Sequence, residues 1–265
     1  MNIFRREMKA LRWGLVFWAL GIIFMVGAGM AKYAAYESAG QSVEDVMAAV
    51  PKTVQVIFGF SGFDLTTASG FYGVLFLYIG VMAAVHASLL GSNLISKEER
   101  DRTSEFLFAK PIPRSTAVTG KLLAGLVNVI ILNAVTTVSS LYLVGYFNNG
   151  ESVSGDIMLM MVGLFLMQLI FFSIGAVVAG IVRKPKSAPS IATSIMFLTF
   201  LISYLVNLNE HVDILKYLSP FKYFDAAVLM ADGRLDPGYV ALSLAIVVLA
   251  VAGTYRFYSA RDLRV

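Results

Sequence analysis

The side chains able to do chemistry in this sequence are few, and most of them sit in apolar surroundings. The 265 residues include no Cys and two His, His86 and His211. That removes thiol catalysis, disulfides and iron–sulfur clusters, and leaves too few ligands for a zinc site of the usual N/S kind. His86 falls in the middle of the apolar stretch VMAAVHASLLGS. An ionisable group at such a place in a membrane span marks a substrate or proton path; a neutral imidazole hydrogen-bonded between helices is the competing role. The amides and hydroxyls of Asn128, Asn133 and Thr136, joined by Thr137, Ser139, Ser140 and Gln168, either line a polar cavity or bond helix to helix. His86, Asn128, Asn133 and Thr136 are therefore the candidates for a path through the bilayer.

Nucleotide chemistry has no recognisable motif here. Thr119-Gly120-Lys121-Leu122 comes nearest to a phosphate-binding loop, but a Walker A sequence needs Gly where Ser115 stands and Ser or Thr where Leu122 stands. The chain is not expected to bind ATP, a metal or any cofactor of its own. Asp232-Gly233-Arg234 matches a fragment of lipid phosphotransferase motifs, yet no second carboxylate cluster follows it, and it reads as a turn.

The elements that must carry these residues are membrane helices. Hydrophobic residues make up 58% of the chain and charged ones 14%, with mean hydropathy +0.75, whereas soluble domains run to about 45–50% and about 25%. The composition describes an all-α integral membrane protein. Apolar runs near the roughly 20 residues needed to cross a bilayer lie at about 13–33, 71–95, 122–146, 157–182, 190–208 and 239–258. Ahead of them, Met1 to Arg12 places Phe4, Met8 and Leu11 on one helical face and Arg5, Lys9 and Arg12 on a neighbouring one, as in a helix lying along the membrane surface. The run from Trp13 to Ala31 is longer than the roughly 7–15 residues of a signal-peptide core, so it is taken as the first span.

Six spans bring both termini to one side. That side holds all of the 21 Lys and Arg residues except Lys32, Lys52, Lys216, Lys222 and Arg234. The positive-inside rule then predicts that both termini, and the connection between spans two and three, are cytoplasmic in the cell membrane. The net charge of +4 thus reports topology, because the basic residues sit at span ends instead of forming the stripe that a nucleic-acid surface needs. On the other side, Ser42 is placed to cap a short helix with Val43, Val46, Met47 and Val50 on one face, ended by Pro51. Ser219-Pro220 reads as N-cap and first residue of an outer helix whose Tyr217, Phe221, Tyr223 and Phe224 are interfacial aromatics, and Asp236-Pro237 starts span six in the same way. Gly175 with Ala179, and Ala176 with Gly180, permit close helix packing. There is no long repeat and no room in the loops for another folded unit, so residues 1–265 form a single domain.

The stretch from Ser96 to Lys121 is the one long charged interruption on the basic side. It holds Lys97, Arg100, Arg102, Lys110, Arg114 and Lys121 among Glu98, Glu99, Asp101 and Glu105, with Phe106, Leu107 and Phe108 in the middle. A solvated linker has little use for three large apolar residues in a row, and a span cannot carry so many charges. A short amphipathic helix that docks on another protein satisfies both conditions.

In EERDRTSEFLFAKPIPRSTAVTGKLL the chain resembles the signature of type-two ABC export permeases, which runs between spans two and three as an acidic residue, Gly-Thr, Glu, a run of Leu, Pro-Ile-x-Arg and a later Gly-Lys. The matching positions are Glu98 or Glu99, Thr103, Glu105, Leu107, Pro111, Ile112, Arg114, Gly120 and Lys121; Arg102 stands where the family has Gly. The amphipathic start, the SPFKYFD segment and the closing FYSARDL are also similar, most of all to the sodium-export and bacitracin-resistance branches.

That resemblance implies a permease subunit that pairs with a second permease, in a homo- or heterodimer, and receives two copies of a separate ATPase subunit that binds ATP and Mg. Substrate would leave the cytoplasm or inner leaflet. Glu98, Glu99, Thr103, Glu105, Phe106, Leu107, Pro111 and Arg114 would meet the ATPase on a coupling helix. Two other readings stay open: a membrane scaffold or regulatory subunit without cargo, and an intramembrane enzyme. The latter would need clustered carboxylates, and the span limits above enclose no Asp or Glu. The Phe- and Met-rich spans favour an amphipathic or lipid-like cargo over a bare cation.

Overall fold

Apolar length alone accounts for most of the architecture. In the computed structural model, which describes residues 3–39, 50–60, 62–103, 112–148, 153–208 and 210–260, helices alternate with short connections. They are α1 (Ile3–Ala39), α2 (Lys52–Phe58), α3 (Ala68–Arg100), α4 (Arg114–Phe147), α5 (Ser154–Ile181), α6 (Ala188–Leu208), α7 (Pro220–Tyr223), α8 (Ala226–Asp232) and α9 (Pro237–Ala260), with 3₁₀ turns at Pro185–Ser187 and Glu210–Leu218. Among the described residues, six of these helices, namely α1, α3, α4, α5, α6 and α9, are long and apolar enough to cross a membrane. Five of them contain one expected span each, and α5 ends one residue short of the expected 157–182.

At the basic end the helices run well past the apolar limits. α3 continues to Arg100 and α4 begins at Arg114, so both ends of the charged stretch expected as a connection are helical stem. Lys, Glu and Arg are good helix formers, and nothing between Ser96 and Arg100 stops the helix. Pro113 at the N-cap then opens α4. The helix expected over residues 1–12 is continuous with the first span: α1 is one unbroken helix of 37 residues. Its length, about 55 Å at 1.5 Å per residue, exceeds the roughly 30 Å of hydrocarbon. No Gly or Pro lies before Gly14 to break it, and its first turns bury Ile3 and Glu7 against other helices.

The bundle is built around α3 and α5, which pack backbone to backbone. A Cβ on Gly91 would stand 2.0 Å from the Phe172 carbonyl oxygen, and one on Gly175 would stand 2.4 Å from that of Ser88. Small residues on both helices make this approach possible. α1 packs on α4, α9 on α5, and α6 on α3 and α5. The outward faces stay apolar, with Trp13, Phe17 and Phe24 on α1, Leu198 and Leu201 on α6, and Val248 and Leu249 on α9 exposed.

At the opposite end, the helix expected from Ser42 falls on residues outside those described, and Pro51 is the N-cap of α2. Ser219 and Pro220 do begin α7, a single turn, but the Ser219 hydroxyl donates to the Thr199 carbonyl at 2.7 Å instead of capping it. Phe221, Tyr223 and Phe224 are buried, which corrects their expected interfacial place; the Phe221 ring lies 5.4 Å from Phe171 and 5.1 Å from Phe200, so the turn plugs the bundle with aromatics. Tyr217 remains exposed. α9 starts at Pro237 behind Asp236, whose Oδ1 accepts from the Gly238 amide at 2.7 Å. Gly233 ends α8 with φ of 62°, so Asp232-Gly233-Arg234 is a turn.

Candidate functional site at the basic end

The stems of the α3–α4 connection carry a chain of alternating charge. Lys97 on α3 pairs with Glu7 on α1; Glu7 accepts from Arg6 at 2.7 and 3.1 Å; Arg6 donates to Glu98 on α3 at 2.7 Å; and Glu98 pairs with Lys121 on α4. Lys121 also donates to the Leu94 carbonyl at 2.6 Å. Glu7 and Lys121 are 0% exposed and Glu98 is 3%, while Arg6 and Lys97 form the wetter edge. Burying an unpaired charge costs several kcal/mol, so the sharing of both carboxylates between cations is what allows this site to exist.

Beside this cluster, α3 ends in a left-handed turn. Arg102 has φ of 55°, the one positive value at a non-Gly residue among those described. Its amide donates to the Glu99 carbonyl at 3.4 Å and that of Thr103 to the Glu98 carbonyl at 2.8 Å. This is the Schellman pattern, with Arg102 at the position glycine usually takes. Arg102 thus turns the chain in the conformation a Gly there would adopt, and Thr103 serves through its backbone. At the start of α4, the Arg114 guanidinium donates to the Ser259 carbonyl at 3.0 Å and Thr119 shares a hydrogen bond with the Tyr255 hydroxyl at 2.8 Å, which ties α4 to the end of α9.

Of the residues expected to dock, Glu98 faces inward and is not available as a contact surface, because its carboxylate is taken up by Arg6 and Lys121. Glu99 is half-buried; Asp101, Arg102 and Thr103 are exposed. Glu105, Phe106, Leu107 and Pro111 lie outside the described residues, as does the closing segment after Ala260.

The candidates for a path through the bilayer are brought together in part. His86 is 4% exposed, with its ring 5.3 Å from that of Trp18, and His86 Nδ1 and Asn128 Nδ2 are both buried without a hydrogen-bond partner among the described residues. Asn133 donates to the Met161 carbonyl at 3.2 Å and to Gln168 at 3.3 Å, and the Thr136 hydroxyl turns back onto Leu132 at 2.8 Å. These are contacts between packed helices and within one. Neither of two cavities in the bundle is lined by any of the four. One, about 300 Å³, lies at the opposite end between α3, α5, α6 and α7, with Phe76 and Met167 in its wall and Asn207, Lys222 and Asp225 among its polar lining. The other, about 700 Å³, is an apolar groove between α1 and α3 lined by Phe24, Met25, Leu75, Tyr78 and Met82, with Lys32 the charged residue in it.

A family model described as ABC-2 family transporter protein matches residues 1–263. The chain belongs to that family. A comparison with curated proteins found no match. This ABC-2 chain is a multi-pass membrane protein and a permease subunit of an ABC transporter; permeases of the family work in a bilayer with an ATPase subunit.

Within the permease, sequence reasoning missed Arg6, Glu7 and Lys97, and it recognised Lys121 only as part of a motif. A usable signal was present for one of them. Glu7 is the sole acid among Arg5, Arg6, Lys9 and Arg12, and a lone carboxylate in a basic helix invites a buried partner. Which cation it meets was not legible, since Lys97 is 90 residues away.

Proposed function

We propose that this permease is the membrane half of an ATP-driven exporter in the cell membrane, with both termini and the 101–113 connection in the cytoplasm. The observation that carries this reading is the family match along nearly the whole of a chain whose Lys and Arg gather at one end. A second permease copy or a related one completes the pathway. Two ATPase subunits, holding ATP and Mg, dock on the connection through Glu105, Phe106, Leu107 and Pro111. ATP binding closes the ATPase pair and pushes on the α3 and α4 stems. Because α3 is locked to α5 by backbone contact, the push moves the bundle centre and shifts it between inward- and outward-facing populations. This chain catalyses no reaction of its own. An apolar groove against α1 and a second, mainly apolar cavity with Asn207, Lys222 and Asp225 in its wall favour an amphipathic or lipid-like cargo.

The test is purification of the permease with an ABC ATPase partner, sought first in the neighbouring reading frames, followed by reconstitution in proteoliposomes. Hydrolysis should rise with amphipathic peptides or lipids. Stimulation by sodium alone overturns the cargo assignment, and no stimulation by any candidate favours the scaffold. Phe106→Ala should weaken ATPase capture by about 2 kcal/mol or more, the usual cost of truncating an apolar anchor, while the permease stays folded.

A further inference from the structure

The first turns of α1 are fastened to both stems of the docking connection, and buried charge does much of the fastening. The order Lys97, Glu7, Arg6, Glu98, Lys121 alternates in sign and crosses from α3 to α1, back to α3 and on to α4. Lys97 and Glu98 stand within the last turn of α3, and Lys121 is two turns into α4. Alongside, Ile3 packs on Ala117 and Ile112, and a Cβ on Gly120 would stand 3.2 Å from that of Ile3. Stability alone does not call for such a device, because apolar residues of similar volume hold helices together as well as a buried ion network does, or better. What charge adds is direction and register: each carboxylate has two cations at fixed places, so the three helix ends have one arrangement.

We propose that Glu7 and Glu98 are positioning residues for energy coupling, which make the start of α1 move as one body with the α3 and α4 stems. A load on the 101–113 connection then reaches α1 directly as well as the spans that flank it. The inference rests on the docking of an ATPase at that connection.

The experiment uses the permease and its ATPase together in proteoliposomes and reads transport per ATP hydrolysed. Glu7→Gln and Glu98→Gln keep the side-chain shape and remove the charge; each should still capture the ATPase and support hydrolysis, with transport per ATP falling about tenfold, within the usual range of coupling between sites. A second arm replaces the ionic fastening by a covalent one. Ile3→Cys with Gly120→Cys in this Cys-free chain places two Cβ atoms near the spacing of a disulfide. Oxidation should restore coupling to Glu7→Gln, reduction should remove it again, and the same disulfide in the otherwise unaltered chain should leave transport intact. Full coupling in both Gln variants, or loss of transport when the unaltered chain is cross-linked, overturns the proposal. Failure of the unaltered chain to capture its ATPase refutes the docking reading, and this proposal with it.

Discussion

Arg102 closes α3 in a backbone conformation that costs an L-residue about 1–2 kcal/mol and glycine almost nothing. Arg102→Gly should therefore stabilise the protein by about 1 kcal/mol, and Arg102→Val should destabilise it, since a β-branched residue tolerates positive φ least. Thermal unfolding in detergent measures both. A lower midpoint for the Gly variant would show that the arginine side chain makes a contact outweighing the strain. His86 poses the other question at this scale. Packed against the Trp18 ring and absent from the lining of the two cavities described above, it is placed for packing. His86→Ala should lower stability by about 1–3 kcal/mol, as emptying a packed site usually does. Transport per folded molecule should be unchanged, and its abolition would return His86 to the pathway.

Among the elements, α3 and α5 make the seam on which the rest depends. A methyl group added at Gly91 meets the Phe172 carbonyl, and one at Gly175 meets the Ser88 carbonyl; neither obstacle is a side chain that can swing away. Gly91→Ala and Gly175→Ala should each cost at least the 1–3 kcal/mol of ordinary overpacking, measured as a fall in thermal midpoint. Gly145→Ala, in the last turn of α4 with nothing near its added methyl, is the control and should be neutral or slightly stabilising. Equal behaviour of the three would mean that the seam relaxes freely.

For the whole molecule the decisive property is which end faces the cytoplasm. The absence of Cys makes single-cysteine labelling clean. Asp101→Cys at the basic end and Ile214→Cys at the other are both exposed positions. An impermeant maleimide should label the Ile214 variant in intact cells and the Asp101 variant only after permeabilisation. The reverse pattern would invert the topology and, with it, the direction of transport proposed above.

Composition and apolar length determined that this chain is all-helical and where its six long helices lie, because backbone polar groups in hydrocarbon have no partner but each other and the helix is the local solution. Turn chemistry was equally local: Pro220, Asp236-Pro237 and Gly233 act where they stand. Small residues four apart announced the seam on α5. Tertiary structure decided what the polar and aromatic residues do. Glu98 and Lys121, 23 residues apart, read as parts of a docking connection until α3 and α4 continue as helix and α1 brings Arg6 and Glu7 between them. Phe221 and Phe224 read as interfacial until the turn that carries them folds inward over α5 and α6. Burial of a charge or a ring depends on which helices meet, and that partner choice is made by surfaces far apart in the chain, which no local pattern records.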